Sequence, residues 1–400
     1  MKFSVVIPTH DRLDLLRDAI ETARRQEYPD WELVVFDNAS TDDIAGHVRG
    51  LSDPRVRYAR SEKFLAVTES WNAAIDYATG DYVVFLGDDD GLTPAYFSRM
   101  AAILTEFALP EVAYCAIYQF LHPGVAPWEP RGYVVNLRDG FFFAGRDTPF
   151  LLSRKDAQKA VNGSIGLKRN FTFNIQAFVF SRVFLERLGG DGPVFRSPFP
   201  DYYLANVAFA KSRSTLVIPA AMAIAGVSKA SFGFTLLNDL EEQGAGILNA
   251  ILSADPLYRE LEPVLLPGSR YNNNYIVTMA HVAKYASEVA LRDVDFGRYR
   301  KLQIFAMLSR GNGRLSRVEG GQVLWSRLSR SERLWARMMA LPLLAGGALG
   351  IGALVRRIVF RLIGPYHFHP ERHPLDRGQY VRLIDLFESM RRRTPDGSAM

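Results

Sequence analysis

The sequence is poor in cysteine: Cys115 is the only one in 400 residues. No disulfide can form within the chain, a cysteine-built zinc site is excluded, and a reducing compartment such as the cytoplasm is the expected setting. A secretory leader is not evident either. Phe3-Ser4-Val5-Val6-Ile7 follows Met1-Lys2 directly, too short for a leader's apolar region, and it reads as the first strand of the fold. Glycine is missing from the turn that follows, Pro8-Thr9-His10-Asp11. That argues against the glycine-rich phosphate loop of a nucleotidyltransferase, which otherwise shares metal-binding carboxylates on an α/β sheet. Internal repeats and low-complexity tracts are absent.

What is present is ordinary globular composition, 48% hydrophobic and 23% charged. The length predicts a large domain with an extension, or two domains. Charge is uneven. From Leu291 onward there are 20 Lys and Arg against 9 Asp and Glu, a balance of +11, which leaves −6 on the preceding residues of a chain whose net charge is +5. Two surfaces with different partners are expected.

Strand and helix signals alternate through the first hundred residues. Phe3–Ile7, Leu33–Phe36, Val56–Tyr58 and Tyr82–Leu86 read as strands. Helical periodicity runs through Leu13, Leu16, Ile20 and Ala23, with Asp11 as the expected N-cap, and again through Trp71, Ala74, Ile75 and Ala78, with Gly80 expected just past its end. A further helix is expected to open at Thr93-Pro94. The pattern predicts an α/β fold with a doubly wound, mostly parallel sheet, followed by a mainly α-helical C-terminal region. Residues 1–225 are expected to form the α/β domain. Residues 226–400 form the helical, basic remainder. Further strands are read at Val112–Phe120, Phe171–Phe180 and Thr215–Ile218, with a long loop at 121–170.

Ligands of such sheets bind beyond the carboxyl ends of the strands. Three strands end there in polar turns: Thr9 to Asp11, Asp37, and Asp88-Asp89-Asp90 after Gly87. Adjacent carboxylates repel one another, and a divalent cation, Mg²⁺ or Mn²⁺, removes that cost. Asp37 can accept an N–H from a nucleobase, or cap an Asx turn with Asn38. Asp201, after Pro198-Phe199-Pro200, can serve as a general base or as a helix N-cap.

At these residues the chain resembles the family 2 glycosyltransferases with their nucleotide-diphospho-sugar transferase (GT-A) fold. The matching stretches are Ser4–Arg12, Leu33–Asp42 and Asn72–Gly91, with a weaker likeness at Phe199–Tyr203. The resemblance implies that Pro8, Thr9, Asp11, Asp37, Asn72 and Asp88 line the nucleotide-sugar site, with Asp37 on the base. It implies that Asp88, Asp89 and Asp90 meet the metal and the donor phosphates, that Asp201 is the base of an inverting transfer, and that residues 1–225 are the catalytic domain, the nucleotide side within about 1–110 and the acceptor side within about 111–225. Gly87 replaces the family's usual first aspartate, His10-Asp11 an aromatic and asparagine, and Ala74 a common glycine. A Gln-x-x-Arg-Trp pattern is absent, so a single addition per encounter is expected. A UDP-linked donor, a glycan or lipid-linked acceptor and a role in cell-surface polysaccharide synthesis follow from the same likeness. The competing reading is an inactive transferase-like domain kept as a membrane-bound assembly partner.

The 18 residues from Met338 to Val355 carry no charge and are flanked by Arg333, Arg337, Arg356, Arg357 and Arg361. A buried hairpin, peripheral insertion at an anionic membrane surface and a full span are all open, with the membrane-associated stretch set at 338–363. Nucleic acid is not expected as a partner, because no recognised motif accompanies the basic residues. His367, His369 and His373 lie among prolines and read as an irregular tail rather than a metal site. Arg391-Arg392-Arg393 and the residues after them read as disordered.

Overall fold

A computed structural model describes residues 1–238, 240–248, 255–364 and 370–393, with the side chains of 370–377 and a few helical residues outside the description. Four strands make the nucleotide half of one sheet: β1 (Phe3–Thr9), β2 (Trp31–Asp37), β3 (Val56–Arg60) and β4 (Tyr82–Phe85). They lie side by side in the order β4-β1-β2-β3, all parallel. The apolar runs of β1, β2 and β4 are buried on both faces, as parallel strands between helices must be, while β3 is a half-exposed edge. The covering helices here are α1 (Leu13–Arg24), α2 (Ile44–Gly50) and α3 (Val67–Ile75). Helix α1 buries Leu16, Ala19, Ile20 and Ala23, the stripe its periodicity predicts.

Beyond β4 the sheet turns mixed. After the short β5 (Gly91–Leu92) and α4 (Tyr96–Glu106), β6 (Val112–Leu121) and β7 (Tyr133–Asp139) form an antiparallel pair. The region read as a long loop therefore holds β7, the short β8 (Phe150–Leu151) and α5 (Arg154–Ile165). The strand read at Phe171–Phe180 shrinks to β9 (Phe178–Ser181), because a single 3₁₀ turn covers Ile175–Ala177. Helices α6 (Arg182–Gly189) and α7 (Pro200–Lys211) follow. The strand expected to stop at Ile218 continues as β10 (Thr215–Val227), parallel to β6 and absorbing two register shifts along the way. Small residues, Ala220 to Gly226, hid that continuation.

Three expected helix boundaries change for identifiable reasons. Asp11 does not cap α1: its carboxylate accepts Thr41 N at 2.5 Å and Thr41 Oγ1 at 2.9 Å, while Leu13 N donates to Asp42 Oδ2 at 3.0 Å. Helix α4 opens at Tyr96, since the Thr93 hydroxyl donates to Met222 O at 2.8 Å instead of capping. Gly80 serves close approach, not a cap. A Cβ there would stand 2.7 Å from both Lys2 O and Ser4 N of the β1 segment.

The C-terminal region is helical, as expected: α8 (Phe232–Leu237), α9 (Glu241–Leu248), α10 (Pro256–Leu261), α11 (Arg270–Tyr285), α12 (Phe296–Arg310), α13 (Gly321–Ser326), α14 (Arg330–Ala348), α15 (Gly352–Ile363) and α16 (Leu383–Arg393). It also returns to the sheet. Strand β11 (Pro370–Arg377) pairs antiparallel with β7, and α16 lies on α1, where the Arg382 guanidinium meets Asp18. Arg391–Arg393, read as part of a disordered tail, close α16. His367, His369 and the His373 side chain fall outside the described residues. No described helix is long and apolar enough to cross a membrane.

Candidate functional site

The acidic turn sits where β4 ends. Thr9 ends β1 beside it, and Thr9 Oγ1 donates to Asp88 Oδ2 at 2.9 Å. The polar ends of β1 and β4 thus meet on one rim, as the strand alternation predicts. Arg12 enters from the start of α1: Nη1 donates to Asp88 Oδ1 at 3.2 Å and Nη2 to Ala230 O at 2.6 Å. Asp89 Oδ2 accepts Ser228 N at 3.2 Å and Ser228 Oγ at 2.8 Å, just past the end of β10. Asp90 differs from its neighbours. Its oxygens accept Gly87 N at 2.5 Å, Gly226 N at 2.9 Å and the Gln176 amide, so it closes the turn and ties it to β10 and the 3₁₀ turn.

All three carboxyls are buried, and burial raises each above the usual carboxylate range. Arg12 works against this at Asp88 and Asp89, and Asp89 adds to it at Asp88 and Asp90. Two buried carboxylates facing one guanidinium form an anionic pocket in search of cation charge. No three His, Cys, Asp or Glu converge into a complete cage among the described residues. Mg²⁺ does not need one, since it commonly takes one or two carboxylates and leaves its other positions to water and substrate phosphates. Asp89, bonded to Ser228 through Oδ2, fits that chemistry best; Asp88 carries Thr9 and Arg12 on its two oxygens, both of them movable side chains, whereas Asp90 is held by backbone and amide donors.

Asp37 reaches the same rim paired with Thr9 in register. Its carboxylate is fully enclosed and accepts Ser40 N at 2.7 Å, Tyr58 Oη at 2.7 Å and the Arg60 guanidinium. The outward-facing group of this cluster is Arg60, 44% exposed. Pro8 stays within β1. Asn72 is not brought to the rim contacts: its Nδ2 donates to Phe195 O and its Oδ1 accepts Phe195 N, both at 2.9 Å, fastening α3 to the segment before α7.

Asp201 lies in the first turn of α7, behind Pro200 at the first helical position. It is half-buried, and burial lifts its carboxyl to about 6 against the pull of Arg169. A chain of contacts links Asp89 to the helix that carries Asp201. Ser228 binds Asp89, Phe232 follows four residues on, and its ring lies 5.4 Å from that of Phe199, the α7 N-cap.

Residue patterns alone missed Arg12, Arg60, Gln176, Gly226 and Ser228. The signal for the last two was the apolar run 215–227, which ends in Ser228 as the other rim strands end in polar residues. Gly226 is required by proximity: a Cβ there would stand 1.7 Å from Asp89 O.

The family model for Glycosyl transferase family 2 matches residues 4–152. A GalNAc(5)-diNAcBac-PP-undecaprenol beta-1,3-glucosyltransferase of Campylobacter jejuni is 34% identical over 102 residues, 25% of this chain and 33% of that protein. A UDP-Glc:alpha-D-GlcNAc-diphosphoundecaprenol beta-1,3-glucosyltransferase, WfgD, of Escherichia coli is 30% identical over 87 residues, 22% of this chain and 34% of that protein. The chain thus spans about a third of the length of these curated relatives. Among solved structures, residues 1–349 of S. aureus TarS in complex with UDP-GlcNAc superpose with a TM-score of 0.50 at 15% identity, over 86% of this chain and 80% of that fragment, a likeness of fold. Residues 4–152 thus match Glycosyl transferase family 2, and the mixed sheet with its acidic turn at the rim is of the GT-A type.

Proposed function

We propose that the protein is a glycosyltransferase that moves one sugar from a nucleotide diphosphate donor, UDP-linked by preference, to a hydroxyl of a glycan or lipid-linked acceptor in cell-surface polysaccharide synthesis. The observation that carries this reading is the buried pair Asp88 and Asp89 on the strand rim, joined to Thr9 of β1 and to Ser228 just past the end of β10. Two relatives named for undecaprenol-diphosphate substrates, one of them also for UDP-Glc, support the donor and acceptor classes. The acceptor then lies at the inner face of the cell membrane.

The roles follow from chemistry. Asp88 and Asp89 would hold a divalent cation, Mn²⁺ or Mg²⁺, which would supply positive charge against the departing diphosphate. Thr9 and Arg12 orient the Asp88 carboxylate from β1 and α1. The Asp37–Arg60 cluster forms the nucleoside end, with Arg60 as the outward donor. Asp201 accepts the proton of the acceptor hydroxyl as its oxygen bonds to the anomeric carbon. The bond to the diphosphate breaks on the opposite face, so configuration inverts without a covalent enzyme intermediate. Residues 1–225 carry this chemistry, with the acceptor side within about 111–225, and 226–400 add Ser228 at the rim and the membrane-side contacts.

Calorimetric titration with UDP, GDP and dTDP, in Mn²⁺ and in EDTA, tests the reading on wild type and Asp89→Ala. Metal-dependent binding of one nucleotide, lost in the variant, is the expected result. Folded protein that binds none of them would move the chain to a non-catalytic assembly role.

A further inference from the structure

The uncharged run 338–355 forms neither a buried hairpin nor a span. It folds as the end of α14, a break at Leu349–Ile351, and the start of α15. The two helices pack on each other closely, and a Cβ at Gly346 would stand 2.7 Å from Val355 Cγ2. Ala336 and Leu343 are buried on the inner side. The outer side is apolar as well. Met338 and Leu341 on α14, Leu349 at the tip, and Leu354, Ile358 and Leu362 on α15 are each more than half exposed. Their spacings of three and four residues place them in one stripe per helix. This inverts the usual surface helix, which turns its polar face outward.

Charge tells what covers the stripe. Residues 330–364 hold six arginines and one acid, Glu332. Arg300 holds that acid in a salt bridge at 2.5 Å. Arg330, Arg337 and Arg357 are exposed beside the stripe. A second copy seated on the same patch would bring arginines against arginines with no free carboxylate between them. A lipid leaflet with anionic headgroups offers apolar chains to the leucines and phosphates to the guanidinium groups. Length sets the depth. The uncharged part of α14 from Met338 to Ala348 spans roughly 16 Å, about half of a hydrocarbon core, and the break at Leu349 ends it there.

We propose that the α14–α15 hairpin is a shallow membrane-inserting element, tip first at Leu349, that holds the protein on an anionic leaflet. It deepens the membrane-side part of the function above, yet it needs neither sugar transfer nor nucleotide binding. The test uses full-length protein in flotation with vesicles of phosphatidylcholine alone and of an equal mixture with phosphatidylglycerol. Wild type should float with the mixed vesicles and release at high salt. A Leu349→Asp, Leu354→Asp double variant, folded by circular dichroism, should partition about tenfold less or worse. Folded wild type that ignores both vesicles overturns the inference. So does unchanged flotation of the double variant, which would mean a purely electrostatic surface. A dimer in light scattering that the same variant dissociates, without vesicle binding, would assign the stripe to a second copy. Nucleotide titration of the same samples keeps the two readings apart: vesicle binding without nucleotide binding leaves the hairpin standing and removes the transferase.

Discussion

Asp89 and Ser228, 139 residues apart, are joined by two hydrogen bonds to one carboxylate oxygen, from the serine's backbone N–H and from its hydroxyl. This orients Asp89 before any ligand arrives. Ser228→Ala removes the hydroxyl donor to a charged group, a loss of about 1.5–3 kcal/mol. Metal-dependent nucleotide affinity should fall by roughly tenfold to a hundredfold in calorimetry, with the fold retained. Unaltered affinity would show that the backbone N–H alone positions Asp89.

Asp90 should separate from its neighbours. Asp88→Asn and Asp89→Asn should abolish metal-dependent donor binding, with little change in melting temperature for Asp89→Asn and a modest fall for Asp88→Asn, whose two oxygens serve Thr9 and Arg12. Asp90→Asn keeps one acceptor oxygen where the backbone donors of Gly87 and Gly226 need both. A loss of about 1–3 kcal/mol in denaturant unfolding is expected. Equal stability of all three variants would dissolve the distinction.

Asp201→Asn should lower kcat by about a hundredfold to ten-thousandfold and leave nucleotide affinity in place. The wild-type carboxyl sits at about 6. It must be charged to accept a proton, so kcat/KM should fall as pH drops through about 6. A profile flat down to pH 5 would remove Asp201 from the proton transfer.

Gly226→Ala forces a Cβ to within 1.7 Å of the Asp89 carbonyl oxygen, which is backbone and cannot swing away. Loss of the folded site, seen as a lower melting temperature and absent nucleotide binding, is expected. Gly347→Ala is the control. Nothing lies within 4 Å of its added methyl, and the position is helical. It should be neutral or stabilising by up to about 1 kcal/mol.

Glu32 locks the far end of the sheet. It accepts the Ser4 hydroxyl at 2.6 Å, Thr79 N at 2.5 Å and Lys2 Nζ at 2.9 Å. Its carboxyl falls to about 2 from an ordinary 4.5, these hydrogen bonds outweighing a burial effect that acts in the opposite direction. The folded pKa is depressed, so the stabilisation is complete above about 4.5 and lost as pH falls through about 2. Its ceiling is about 3 kcal/mol. Glu32→Gln should lower unfolding free energy by up to that amount at neutral pH, and the gap should close near pH 2. A gap constant with pH would mean the loss is packing, not charge.

Short-range chemistry was legible without the structure. Buried β-branched runs, the α1 stripe and polar residues at strand ends state their own periodicity, so β1 to β4 and the rim carrying Thr9, Asp37 and Asp88 could be read directly. The Asp-Asp-Asp turn was visible as charge that wants a cation. The division of labour inside that turn was not, because Asp88, Asp89 and Asp90 are chemically identical and adjacent. Only partners distant in sequence separate them: Arg12 and Thr9 for Asp88, Ser228 for Asp89, Gly226 and Gln176 for Asp90. Asp11 and Asn72 illustrate the same limit, since a side chain's hydrogen-bond capacity is local but its partner is set by which loops the fold brings near. Whether 338–355 was core or surface also lay beyond periodicity. The run is apolar all round, and only the packing of α14 on α15 through Gly346 decides which face is covered and which is left for another partner.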